Sequence, residues 1–293
     1  MTVPNGRLPV LVGVSRSEAA VWAIRWAADE ADLHGLPLLI VHAQEWPSAV
    51  PPAVEPGESG HLWASHFRAA GRALVDTARA EALQLHPGLD ISLALAEGKP
   101  HDVLLRFGAE VSQVVLGTRR LGDVEAPFVR SRGAGLFGRL PCPVVLVPQP
   151  AGPQPEHGGT VVVGVDGSAA SEAAVAYAFE EAALTRSRLL AAEVRRPHSA
   201  ARPGFYEEAR LELAEALAGW HEKYPQVETE REVLTGYPAA LLAELARHAR
   251  CLVVGSHGRS GWHEALLGST TRSLVHHTPS PLVVVPPQYT GRL

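Results

Sequence analysis

A chain of 293 residues, 46% hydrophobic and 19% charged, has the composition of folded domains, which excludes general disorder. At roughly 100–200 residues per domain, the length suits two domains, each able to bury its own core. The net charge of −5 is spread evenly, with 13 basic and 15 acidic side chains in residues 1–150 and 13 and 16 in residues 151–293, so the basic footprint of a nucleic-acid binder is absent. Cys142 and Cys251 stand one per half, too few for a disulfide framework and in keeping with a reducing compartment. No apolar stretch approaches the ~20 residues of a membrane helix, and Leu8–Val14 is strand-length, short of a secretory leader, so a cytoplasmic location without membrane contact is expected.

Taken in chain order, Leu8–Val14 reads as a strand, followed by a helical segment through Trp26–Glu30. Gln44–His66 is a Pro-rich insert of open conformation, Val114–Gly117 ends a buried strand, and Val144–Val147 is a short final strand. Pro148–Gly159 is dense in Pro and Gly and reads as a linker. In the second half, Thr160–Val165 is an apolar strand, Glu172–Leu184 an Ala-rich helix and Leu189–Val194 a second strand. Phe205–Lys223 carries Leu211, Leu213, Ala214 and Leu217 at helical spacing. Glu228–Leu234 alternates weakly as a third strand, and Pro238–Ala249 is helical. Cys251–Gly255 is a buried strand, Ser269–His277 a helix and Pro281–Val285 the last strand. Strands with near-continuous apolar runs, separated by helices, predict a parallel sheet covered on both faces.

The two halves repeat one another. Val10–Ser17 resembles Val161–Ser168, with Gly13 at the place of Gly164. Trp26–Glu30 meets Tyr177–Glu181 without a gap, and Val114–Gly117 meets Leu252–Gly255. From Gly117 to Pro141 and from Gly255 to Pro279 the distance is the same 24 residues. The expected domains are therefore residues 1–150 and 158–293, each a mostly parallel five-stranded sheet between helices.

Open parallel sheets hold ligands beyond the carboxyl ends of their strands. Two segments fall at such ends. Val165-Asp166-Gly167-Ser168 follows the first strand of the second half, and Gly255-Ser256-His257-Gly258 precedes Gly268-Ser269-Thr270 by nine residues. Glycines let a backbone turn sharply against a bulky anion, and Ser269 and Thr270 open a helix whose unpaired N–H groups attract phosphate. Asp166 is placed to accept hydrogen bonds from a ribose or base, and Arg259 could add positive charge.

The spacing Gly255-x2-Gly258-x9-Gly268-Ser269, with Val163-Gly164-Val165-Asp166-Gly167-Ser168 earlier, resembles the nucleotide-binding signature of the universal stress protein family. The resemblance spans both halves, as in a tandem member of that family. It implies an adenine-nucleotide alpha hydrolase-like fold and binding of ATP, with or without Mg, in a stress-response role with little catalysis. Carried over residue by residue, it implies that Val165 and Asp166 lie beside the adenosine and that Val194 offers backbone groups to the adenine edge. It also implies that Val254, Gly255, Gly258, Gly268, Ser269 and Thr270 line the ribose and phosphates. Single-domain members commonly dimerise through the last strand. This implies intrachain pairing of Val144–Val147 with Leu282–Val285, and a homodimer of whole chains as a further option.

The first half departs from the signature. Ser15 and Arg16 stand for Asp166 and Gly167, Arg120 for Gly258 and Arg130 for Gly268, while Gly117 and Ser131 persist. Long side chains at the glycine positions fill the phosphate space, so the fold is expected there without the site. Other readings stay open at several residues. Asp166 or Ser168 also suits a helix N-cap, Gly255 and Gly258 a tight turn, and Arg259 and His257 a solvated loop. Arg119, Arg120, Arg130, Arg132 and Arg139, offset by Asp123 and Glu125, read as a salt-bridged face or an altered anion site. His276 and His277 end a helix without further metal ligands at suitable spacing. Neither a GxxxxGK[ST] loop nor a GxSxG elbow occurs, so no catalytic residue is assigned. The alternatives to a nucleotide-dependent regulator are a nucleotide-independent interaction module and a weak ATPase.

Overall fold

Val161–Val163 and Cys251–Val253 are apolar at every position and fully buried, the pattern of strands covered on both faces. The computed structural model of the chain describes residues 7–45, 58–118, 134–149, 159–197, 204–258 and 267–291. The chain divides into two units, Met1–Gly117 and Thr118–Leu293. Among the described residues no helix is long and apolar enough to cross a membrane.

The first unit runs β1 (Val10–Gly13), α1 (Ala19–Leu33), β2 (Leu38–Gln44), α2 (Glu58–Leu85), β3 (Ile91–Glu97), α3 (Pro100–Gly108) and β4 (Gln113–Thr118). Its strands lie in the order β3-β2-β1-β4 and every pairing is parallel. Gly13 stands between Val41 and Leu116 in that register. The α2 helix approaches β2 closely at Gly71, whose place a side chain would contest with Gln44; the Gln44 amide donates to the Phe67 carbonyl at 2.7 Å.

In the second unit, α4 (Ala134–Phe137) and β5 (Val144–Pro148) precede β6 (Thr160–Val165), α5 (Ala169–Thr185) and β7 (Arg188–Arg195). Then come α6 (Phe205–Ala216), α7 (Trp220–Lys223), β8 (Thr229–Thr235), α8 (Pro238–Leu245), β9 (Cys251–Gly255), α9 (Ser269–His277) and β10 (Leu282–Val285). Strands β10-β9-β6-β7-β8 form a parallel set of five. On the outer edge of β10 lies β5, antiparallel, with Leu282 opposite Leu146, Val283 opposite Val145 and Val284 opposite Val144. That edge is thereby supplied with backbone partners from the strand that ends the first repeat.

Several boundaries differ from the sequence reading for local reasons. The long helix expected over Phe205–Lys223 is two helices, because Gly219 takes φ +79° and breaks the run before Trp220. The helix expected over Pro238–Ala249 ends at Leu245 and continues as turns, with the Ala249 N–H bonded to the Ala246 carbonyl. The α5 helix starts three residues earlier than its apolar pattern does, because Ser168 caps it. It is buried nearly all round, and small side chains such as Ala174, Ala178 and Ala182 let it sit close against the sheet.

Candidate functional site

At the carboxyl ends of β6, β7 and β9, the second unit encloses a cavity of about 390 Å³. Val165, Asp166, Val194, Val254, Gly255, Gly258, Gly268, Ser269 and Thr270, the nine residues singled out in the sequence, all line it. Three backbone segments far apart in sequence therefore meet at one place, the strand-end position that open parallel sheets provide.

The turn after β6 is built by side chains. Gly167 adopts φ +71°, which glycine takes without strain. The Asp166 carboxylate accepts from the Ser168 N–H at 3.1 Å and from the Ser168 hydroxyl at 2.6 Å, both through Oδ1. Ser168 is the N-cap of α5, its Oγ accepting from the Ser171 N–H at 3.2 Å. The Asp166 N–H in turn donates to the Ser171 hydroxyl at 3.0 Å. The capping role thus falls to Ser168, and Asp166 holds the cap in place with one carboxylate oxygen. The other, Oδ2, is directed at the second loop, where a Cβ at Gly258 would stand only 2.6 Å from it.

The corresponding turn of the first unit is built by serines. Ser15 and Ser17 hydroxyls lie 3.0 Å apart, and the Ser17 N–H reaches Ser15 Oγ at 3.4 Å. Ser15 thus bonds the turn through a single oxygen, where Asp166 has two. Arg119, Arg120, Asp123, Glu125, Arg130, Ser131 and Arg132 lie outside the described residues, as does Arg259 in the second unit.

The three signature glycines have different physical roles. A Cβ at Gly255 would stand 2.7 Å from the carbonyl carbon of Ala170 and 2.8 Å from its oxygen, so this glycine admits the first turn of α5. Gly117 does the same against Ala19 in the first unit, so this glycine serves the packing of a helix in both units. Gly258 and Gly268 instead lie where the loops approach one another: a Cβ at Gly258 would stand 2.6 Å from Asp166 Oδ2, and one at Gly268 3.4 Å from the Gly258 nitrogen.

Loop and helix are tied together. The Gly268 N–H donates to the Ser256 carbonyl at 3.0 Å, and the buried Thr271 hydroxyl donates to the Gly255 carbonyl at 2.8 Å. At the N-terminus of α9 the N-cap is Gly268, with no side-chain cap, so the first-turn N–H groups around Ser269 and Thr270 open toward the cavity wall. His257 also lines the cavity; its Nδ1 is 2.8 Å from the Ser256 hydroxyl, and its Nε2 is buried without a hydrogen-bond partner. His276 and His277 are not in the lining.

The opposite end is apolar, with Ala192, Val194, Pro238 and Leu242, and it includes Arg196. The sequence reading missed Arg196, which follows Val194 by two residues, just past the end of β7. Neighbouring Arg195 points the other way. It pairs with the buried Glu193 at 2.7 Å and with Glu212 of α6 at 2.5 Å, and it lies over the Phe205 ring. Burial acts to lower the Arg195 pKa, but the bonds and charges of Glu193 and Glu212 outweigh it and leave it raised.

The end of β7 overhangs its neighbour. Pairing with β6 stops at Val165 opposite Glu193, while β7 continues beside β8 to Arg195 opposite Thr235. The Arg195 carbonyl accepts from the Gly236 N–H at 2.9 Å on the β8 side. Because carbonyls alternate along a strand, that of Val194 is turned to the β6 side, past the end of the ladder. The cavity therefore has an apolar end with an exposed strand carbonyl, and a glycine-lined end with an uncapped helix.

The second unit is thus a parallel α/β domain with a strand-end cavity, an Asp-Gly-Ser turn and a glycine loop before a helix. Comparison with known proteins gives the family. The sequence model of the universal stress protein family matches residues 7–148 and again 159–286. The chain is 32% identical over 295 residues to the universal stress protein Rv2005c of Mycobacterium tuberculosis, covering 97% of this chain and 99% of that one. It is also 32% identical over 303 residues to Rv2623 of the same organism, covering 97% and 98%. Among solved structures, a universal stress protein from Archaeoglobus fulgidus superposes with a TM-score of 0.68 at 15% identity, over 95% of this chain and 96% of the other. The chain belongs to the universal stress protein family and carries two of its domains.

Proposed function

We propose that the second unit binds one adenine nucleotide, ATP with or without Mg, and that binding regulates the protein's conformation or partners in a cytoplasmic stress response. The observation that carries this reading is the polarity of the cavity. Its apolar end at Ala192, Val194, Pro238 and Leu242 suits a base, and its glycine-lined end at the N-terminus of α9 suits phosphates. Asp166 stands just past the end of β6, at the place proposed for a ribose. The groups are those of a binding site: the Asp166 carboxylate is engaged in the turn, and the remaining polar lining is hydroxyl, backbone, His257 and Arg196.

Calorimetric titration of the purified chain with ATP is expected to give a stoichiometry near one. A value near two would show that the first unit, with Ser15 at the place of Asp166, holds the ligand as well. No heat and no competition by a fluorescent ATP analogue would leave the interaction-module reading in its place.

A further inference from the structure

Arg196 is a cation at the apolar end of the cavity, and the acids that could neutralise it are already committed. Glu193 and Glu212 lie with Arg195 on the other face of β7, held by the pairings at 2.7 and 2.5 Å. Arg196 is exposed and lines the cavity with Ala192, Val194, Pro238 and Leu242, and among the described residues it has neither an ion pair nor a hydrogen bond. Its N–H donors meet no protein acceptor among the described residues and are available to a ligand in the cavity.

The Val194 carbonyl shares that end of the cavity and is directed past the last β6 pairing. A carbonyl and a guanidinium two residues apart present an acceptor beside a set of donors. Adenine has the complementary edge: its exocyclic amino group donates, and the ring nitrogens on either side of it, N1 and N7, accept. Guanine, with a carbonyl at that position, would set oxygen against the Val194 oxygen.

Resting on the nucleotide reading above, we infer that Arg196 reads the base, donating to the ring nitrogen beside the adenine amino group while the Val194 carbonyl accepts from that amino group. Arg196 is then a specificity residue for the base. The phosphates are left to the Gly258–Gly268 loop and α9.

The test is a cycle of Arg196→Met against ATP, 7-deaza-ATP and 1-deaza-ATP, with tripolyphosphate as a ligand that lacks a base. In the unmodified protein, removing the ring nitrogen that Arg196 reads is expected to weaken binding roughly ten- to hundredfold, the range for a hydrogen bond to a charged group. Arg196→Met should weaken ATP by the same factor and make that deaza analogue indistinguishable from ATP. Tripolyphosphate should bind both proteins equally. Equal loss of ATP and tripolyphosphate in Arg196→Met would place the guanidinium at the phosphates and overturn the inference. So would an unchanged affinity for ATP, or a deaza penalty that persists in Arg196→Met. Failure of the unmodified protein to bind ATP at all would instead remove the nucleotide reading on which the inference stands.

Discussion

Gly268→Arg is expected to reduce nucleotide affinity more than a hundredfold, to below detection in an ordinary titration, with the melting temperature nearly unchanged. Gly268 has φ −56°, which any residue adopts, so the backbone does not resist the change. A Cβ there would meet the Gly258 nitrogen at 3.4 Å and the His257 Cα at 3.6 Å, ordinary contact or slightly tighter, so the first atom fits. The remaining atoms must project from a residue that lines the cavity, at the end assigned to the phosphates. Gly268→Ala is the matched control and should retain most of the affinity. The first repeat carries Arg130 at this position, so the substitution imitates one the chain already contains. Gly268→Arg binding ATP as tightly as the unmodified protein would place the phosphates elsewhere.

Gly255→Ala and Gly117→Ala should act on stability, each lowering it by about 1–3 kcal/mol, the usual range for forcing an extra methyl into a packed site. At Gly255 the new carbon would stand within 2.9 Å of the C, O and Cβ atoms of Ala170, mostly backbone of the first helical turn, so relief requires moving α5. At Gly117 the obstruction is the backbone of Ala19 and Ala20 at the start of α1. Gly88→Ala, where nothing lies within 4 Å, should be nearly neutral. Denaturant midpoints of the three variants check this. If Gly255→Ala were as neutral as Gly88→Ala, close packing would not be the reason for that glycine.

This division among the glycines shows how far the site could be read from sequence. Spacing located Gly255, Gly258 and Gly268 at one cavity, but it could not separate the glycine that admits a helix from those at which the loops approach one another. That distinction depends on which backbone passes opposite, and Ala170 is 85 residues away. The strands were the most legible elements: Cys251–Gly255 and Val161–Val163 are apolar and buried throughout, the pattern of strands covered on both faces. The α9 helix was also found residue for residue, because Gly268-Ser269 starts it and Thr278-Pro279 ends it. The break before Trp220 was hidden because helical spacing of apolar residues continues across Gly219, whose left-handed φ only the folded chain reveals. Arg196 was missed for a related reason. It lies just past the last strand residue, where alternation is no longer read, yet the overhang of β7 keeps it on the cavity side.

The antiparallel pairing of β5 with β10 bears on where the protein can be divided. The repeats meet in sequence at the 148–159 segment, but the unit that holds the cavity reaches back across that segment to take β5 from the preceding repeat. A fragment beginning at Gly159 would keep every cavity residue and still leave the outer edge of β10 bare. Three valines and a leucine with open peptide groups would then seek a second copy of the same edge. Such a fragment is expected to elute as a dimer in size-exclusion chromatography, whereas one that begins ahead of Ala134 should keep that edge covered. The boundary of the repeat and the boundary of a separable piece are thus different places in this chain.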